Sequence, residues 1–116
     1  MSEMSPDTYA AVANELGLKG FRLSNPRTHS VEFSDPSGLV IYLQRTQKIC
    51  LVANPESISV PVSIDDVDGY ETWNSNFSQF ARKDRTGKKP EKYGIGFDLE
   101  SSEEVGEFID ELRKVL

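Results

Sequence analysis

The sequence predicts an α+β domain, an antiparallel β-meander of about five to six strands flanked by an N-terminal and a C-terminal helix. Three observations predict it. Helical periodicity with capping signals occurs at the two ends of the chain, alternating apolar and polar residues fill the middle, and 116 residues suit one core rather than two. No linker, repeat or break in composition divides the chain, so residues 1–116 read as a single α+β domain.

In "SPDTYAAVANELG", Ser5 is the N-cap, Pro6 takes the first helical position, and Tyr9, Val12, Ala13 and Leu16 recur at helical spacing up to Gly17. A helix over residues 6–16 follows. "KGFRLSN" and "HSVEFS" then alternate as short strands on either side of "NPRT", and "DPSG" is a turn. "GLVIYLQR" and "KICLVANP", separated by "TQ", form the clearest hairpin. Leu39, Ile41 and Leu43 point one way and Val40 and Tyr42 the other, while Ile49 and Leu51 against Cys50 and Val52 repeat the pattern. Both faces of this hairpin therefore need cover.

"ISVPVSI" alternates strictly and reads as an edge strand, because Pro61 has no backbone donor. In "DDVDGYETWNSNFSQFARK", Tyr70, Trp73, Phe77 and Phe80 lie at the spacing of one face of a short helix, though Asn and Ser work against it. Covering the Tyr42 and Cys50 side would fall to residues 73–80. "KYGIGFDLE" is a strand whose glycines mark a bulge or a close approach of backbones. "SSEEVGEFIDELRKVL" is the strongest helix: Ser101 and Glu104 make a capping box, and Val105, Phe108, Ile109, Leu112 and Leu116 form its apolar stripe.

Charge is unevenly spread. Six of the thirteen basic residues lie in "RKDRTGKKPEK", which carries +4, while the rest of the chain carries −10 within a net −6. The acidic majority repels duplex nucleic acid at long range, although one basic stretch can still make a short contact. With no long apolar run, no basic-then-apolar leader and a single cysteine, the expected setting is soluble, cytoplasmic and away from membranes.

No motif fixes a reaction or a cofactor. Around Gly87 and Lys88 a phosphate loop would need glycine where Arg82 stands and a hydroxyl residue where Lys89 stands. "YGIGF" lacks the third glycine of a dinucleotide turn. An EF-hand on "DDVDG" would place Ile64 and Ser75 where ligating acids belong, so this stretch is an acidic turn. His29 and Cys50 are each unique, and "ICLVA" suits an inert buried thiol rather than a nucleophile or zinc ligand. Asp35, Asp65, Asp66, Asp68 and Asp98 lie near strand ends, with no spacing that pairs them.

The "KYGIGF" strand, the helix "SSEEVGEFIDEL", the paired strands "LVIYLQRTQKICLVANP" and an N-terminal helix together resemble the small uncharacterised cytoplasmic enterobacterial proteins typified by YgaC. The resemblance spans most of the chain in order of elements and implies a helix–meander–helix α+β fold. It carries over no functional residue, and the basic stretch before Tyr93 departs from it.

The functional expectation is a non-enzymatic binding or interaction domain that engages a protein partner or itself as a homodimer. Its surface would be an apolar sheet face with Val40, Tyr42, Trp73 and Tyr93, or the acidic side of the last helix at Glu103, Glu104, Glu107, Asp110 and Glu111. The alternative is nucleic-acid or anionic-ligand binding through Arg82, Lys83, Arg85, Lys88, Lys89 and Lys92, with neighbouring aromatics for stacking. Without a ligand this basic stretch is expected to be a mobile surface loop. A carboxylate-dependent enzyme stands third.

Overall fold

A computed structural model describes residues 4–25, 30–46, 48–85 and 88–116; His29 and the side chains of Arg45, Arg85 and Lys88 lie outside that description. Helix α1 (Pro6–Leu18) starts at the expected cap, where the Ser5 hydroxyl accepts from the Thr8 amide at 3.1 Å. It runs through Gly17 to Leu18, and Gly20 two residues on, with φ of +91°, allows the closing bonds from Phe21 N–H to Leu16 O and from Gly20 N–H to Gly17 O. Left-handed backbone, rather than the first glycine met, terminates this helix.

Strands β1 (Arg22–Asn25), β2 (Ser30–Ser34), β3 (Val40–Arg45) and β4 (Ile49–Ala53) form the antiparallel meander. Asp35 sets the turn between β2 and β3 by accepting from the Ser37 and Leu39 amides, each at 3.0 Å. That turn fixes a register in which Glu32 stands opposite Tyr42 and Ser34 opposite Val40.

After β4 the path departs from a simple meander. The expected edge strand at 57–64 is reduced to β5 (Ser63–Ile64), which pairs with β6 (Val67–Asp68) across Asp65 and Asp66, both at positive φ. Pro61 offers no donor, and the edge of β4 is taken by a later strand. Next come β7 (Tyr70–Trp73), β8 (Arg82–Arg85) and the long β9 (Lys88–Leu99). The sheet order is β1-β2-β3-β4-β9-β7, with β8 paired to the first half of β9.

Two further expectations are corrected here. The aromatic segment is no helix: Tyr70 and Trp73 belong to β7, and residues 74–80 are successive turns. Asn74 favours them, its side chain accepting from the Asn76 amide at 2.9 Å and its carbonyl from the Phe77 amide at 3.0 Å. The basic stretch is no loop where it is described, because 82–85 and 88–92 form an antiparallel ladder.

Helix α2 (Val105–Val115) follows a 3-10 turn at Ser102–Glu104. Ser101 makes no side-chain bond to a helix amide; its hydroxyl meets Glu104 Oε2 at 3.4 Å, so the expected capping box is not closed onto the backbone. Both helices cover one sheet face. Val12 and Leu16 from α1, with Val105, Phe108, Ile109 and Leu112 from α2, bury against Ile41, Leu43, Leu51 and Phe97. Leu116 leaves the expected stripe and is 45% exposed, since α2 ends at Val115. Among the described residues no helix is long and apolar enough to cross a membrane.

Candidate functional site

The second face of β3 and β4 carries Tyr42, Cys50 and Val52, and Phe77 and Phe80 from the 74–80 turns close over it. Tyr42 is 0% exposed, its ring 5.1 Å from Phe77 and 4.9 Å from Phe80. This corrects its place on an exposed sheet face: Tyr42 lies sealed beneath two phenylalanines. The glycines of "YGIGF" make room for the cover. The ladder between β7 and β9 runs unbroken through both of them, so neither marks a bulge there. A Cβ on Gly94 would overlap Val52 Cγ1 and lie 3.1 Å from Phe80 Cδ2, and one on Gly96 would lie 3.1 Å from the Tyr70 ring.

Polar groups pin this cover. The Tyr42 hydroxyl donates to Glu32 Oε1 at 2.7 Å and accepts from the Gln79 amide at 3.0 Å. Burial, with the nearby Glu32 carboxylate adding to it, raises the Tyr42 pKa. Glu32, 7% exposed, also accepts from Ser24 at 2.8 Å and Ser78 at 3.4 Å. Lys92 Nζ donates to the carbonyls of Ser78 and Phe80 at 2.8 and 3.5 Å. Glu32 and Lys92 therefore serve the fold. The sequence signal for Glu32 is its place opposite Tyr42 once the "DPSG" turn sets the register.

Where the cover stops, the face opens into a groove of about 700 Å³, within the usual range of ligand sites. Half-buried Leu39 and Val40 meet Phe80 and Leu116 there, with Asn54 and Gln79 among its polar lining. One end is held by Asp35 and Arg113. Arg113 Nη2 donates to Asp35 Oδ2 at 2.8 Å and to Lys19 O at 2.7 Å, and its guanidinium lies 5.0 Å from the Phe21 ring centroid. Burial alone would raise the Asp35 pKa, but bonds from Ser37, Arg113 and Leu39 hold it below the ordinary aspartate value. This pair is long-range in sequence and has no local signal.

The four residues expected on one interaction surface divide between faces. Val40 packs against the second core, whereas Tyr93 packs against the main core and stands directly opposite Trp73, so those two share the other face. Their rings stack at 6.1 Å with a 28° tilt, and Lys83 Nζ lies 5.3 Å from the Tyr93 ring centroid. Of the six expected anion-binding residues, Lys83 pairs with Glu71 and Lys92 binds the 78–80 carbonyls, while Arg82 and Lys89 are exposed. Backbone register sets Arg85 opposite Lys88.

Cys50 is 3% exposed. Tyr70 donates to Asp98 Oδ1 at 2.7 Å, so the thiol, 3.2 Å from the Tyr70 oxygen, is the donor there. Burial first, and then Asp98, push its pKa up to about 11, the opposite of what a nucleophile needs. Burial and the bonds to Cys50 and Asp98 also raise that of Tyr70. The candidate acids are dispersed: Asp35 binds Arg113, Asp98 binds Tyr70 and Asp68 accepts from Ser63. On the last helix, Asp110 pairs with Lys19 and Glu111 with Lys114, leaving Glu103 and Glu107 exposed. No group of three or more metal-ligating side chains occurs among the described residues. Comparison of the chain with protein families, curated proteins and solved structures gives no match.

Proposed function

We propose that this chain is a non-enzymatic binding domain that engages a protein partner, or a second copy of itself, through the groove at Val40. The observation that carries this reading is the incomplete cover of the second sheet face. Tyr42, Cys50 and Val52 are sealed, yet Val40 stays half-buried beside Phe80 and the exposed Leu116. An apolar side chain of a partner would complete that packing, and Asn54, Ser57 and Gln79 would meet polar groups of the partner backbone. Kinship with the proteins typified by YgaC belongs to the same proposal and rests on the shared order of elements.

Affinity capture from native lysate with the wild type, Leu116→Glu and Val40→Glu tests it, alongside sedimentation across a concentration series. Leu116 is exposed, so its variant keeps the fold and isolates the groove. The reading expects a bound protein or a dimer in the wild type that both variants lose. Equal capture by all three, or a wild-type monomer with no bound protein, defeats it.

A further inference from the structure

A second cavity, of about 560 Å³, opens at the other end of β4 from the groove at Val40. It lies between the first turn of α1 at Thr8, the start of β4 and the end of β9. Ile49 and Leu99 stand opposite each other at the last pair of the β4–β9 ladder, each 4% exposed, and give the cavity its apolar lining. Its charge comes from Asp98 and from Lys48 and Glu100, each one residue beyond that last pair.

Asp98 is a held carboxylate. The Tyr70 hydroxyl donates to its Oδ1 at 2.7 Å, and the buried Cys50 thiol donates in turn to the Tyr70 oxygen at 3.2 Å. This chain fixes the orientation of a carboxylate that lines the cavity. Lys48 and Glu100, by contrast, are exposed and have no ion pair among the described residues. The Ser102 hydroxyl, in the same lining, makes no hydrogen bond among the described residues.

One ammonium and two carboxylates leave the cavity with one negative charge in excess. The matching ligand has one carboxylate and two cations joined by an apolar stem. We propose that this cavity binds a free amino acid with a basic side chain, separately from the groove at Val40. The ligand carboxylate meets Lys48 and the Ser102 hydroxyl, and its α-ammonium meets Glu100, which neighbours Lys48 across the two strands. The stem crosses Ile49 and Leu99, and the side-chain cation reaches Asp98. Asp98 and Glu100 are two residues apart, at most about 7 Å along the chain, which the four methylenes of lysine span. A second carboxylate on the ligand would add to the excess charge, and a missing side-chain cation would leave Asp98 unmatched.

The test is titration of the ¹⁵N-labelled chain at low salt with L-lysine, norleucine, L-lysinamide and L-glutamate, followed by amide shifts. L-Lysine is expected to give saturable shifts centred on residues 48–49 and 98–102. Norleucine, which lacks the side-chain cation, and L-lysinamide, which lacks the carboxylate, should each bind about two- to five-fold more weakly, the range that exposed ion pairs allow. L-Glutamate should bind least. In Asp98→Asn the preference for L-lysine over norleucine should vanish, and in Lys48→Met L-lysinamide should bind at least as tightly as L-lysine. Each comparison is made between ligands within one variant, so altered stability does not imitate it, and far-ultraviolet circular dichroism verifies that both variants are folded. Absence of saturable shifts at those amides with L-lysine, binding of L-glutamate as tight as that of L-lysine, or wild-type preferences that persist in the folded variants overturns the proposal.

Discussion

Both faces of β3 and β4 are apolar, yet they are closed by different means. On the main face, two helices that satisfy most of their own backbone groups lay regular stripes against the sheet. On the second face, seven residues of turns deliver two phenylalanines, and side chains supply the polar contacts: Tyr42 for the Gln79 amide, Lys92 for the Ser78 and Phe80 carbonyls, and Asn74 for the Ser30 hydroxyl at 2.8 Å. A short irregular segment can close a sheet face when the strands beneath it carry its hydrogen-bond partners. Tyr42 and Lys92, which the sequence places among candidate binding residues, are tied into this closure together with Glu32.

The difference can be broken most severely on the helical side. Phe108→Ala removes a fully buried ring that packs 5.0 Å from Phe97 and should cost about 3–5 kcal/mol in denaturant unfolding. A loss well under 1 kcal/mol would mean that α2 does not hold the sheet. Phe77→Ala, equally buried, should fall near the lower end, about 3 kcal/mol, because turns collapse around a cavity more easily than a helix does. Amide exchange should separate the two: in Phe77→Ala the amides of 77–80 open before the main core, and uniform exchange would show the two closures to be one unit.

Finer still is Tyr42→Phe, which keeps the ring and strips the hydroxyl from Glu32 and the Gln79 amide. About 1–3 kcal/mol should be lost, by thermal or denaturant unfolding, if those contacts pin the cover. Wild-type stability in this variant would assign the closure to Phe77 and Phe80 alone.

The smallest effect is a pH dependence. A thiol raised to about 11 in the fold favours the protonated form there, so its contribution to stability is intact below the unfolded value of about 8.5 and is lost as pH climbs from there through 11. Stability should drop by about 1–2 kcal/mol by pH 10 relative to Cys50→Ala. Thiol reagents should label the native protein slowly at pH 8 and the unfolded chain readily. Rapid native labelling would show that the second face opens.

Much of this arrangement was legible in the residues. Ser5 and Pro6 announce α1, the period-two pattern of 39–43 and 49–52 assigns both faces, and the stripe of Val105, Phe108, Ile109 and Leu112 places α2. The assignment of 73–80 as cover was also readable, because an apolar second face demands one. Its form was not: aromatic spacing suits a helix, but Asn74 stabilises turns and β9 draws Tyr70–Trp73 into the sheet. Likewise, period-two alternation in 57–64 cannot reveal that another strand will occupy the edge of β4. The candidate site was legible only in part. Val40 was named from its face, while Asn54, Phe80, Arg113 and Leu116 join it in lining the groove from three other stretches of chain.

By itself, the sequence determined the local periods, the helix ends, the apolar character of both faces and the +4 charge of one stretch, because these depend on neighbours within a few residues. Tertiary structure alone decided which strand lies beside β4, that Tyr42 is sealed while Val40 is open, that Asp35 meets Arg113, and that Lys83 and Lys92 brace the β8–β9 ladder that carries Arg82 and Lys89. Each of these joins residues far apart in the chain. Their pairing depends on packing and hydrogen-bond satisfaction across the whole fold, which no local window of residues encodes.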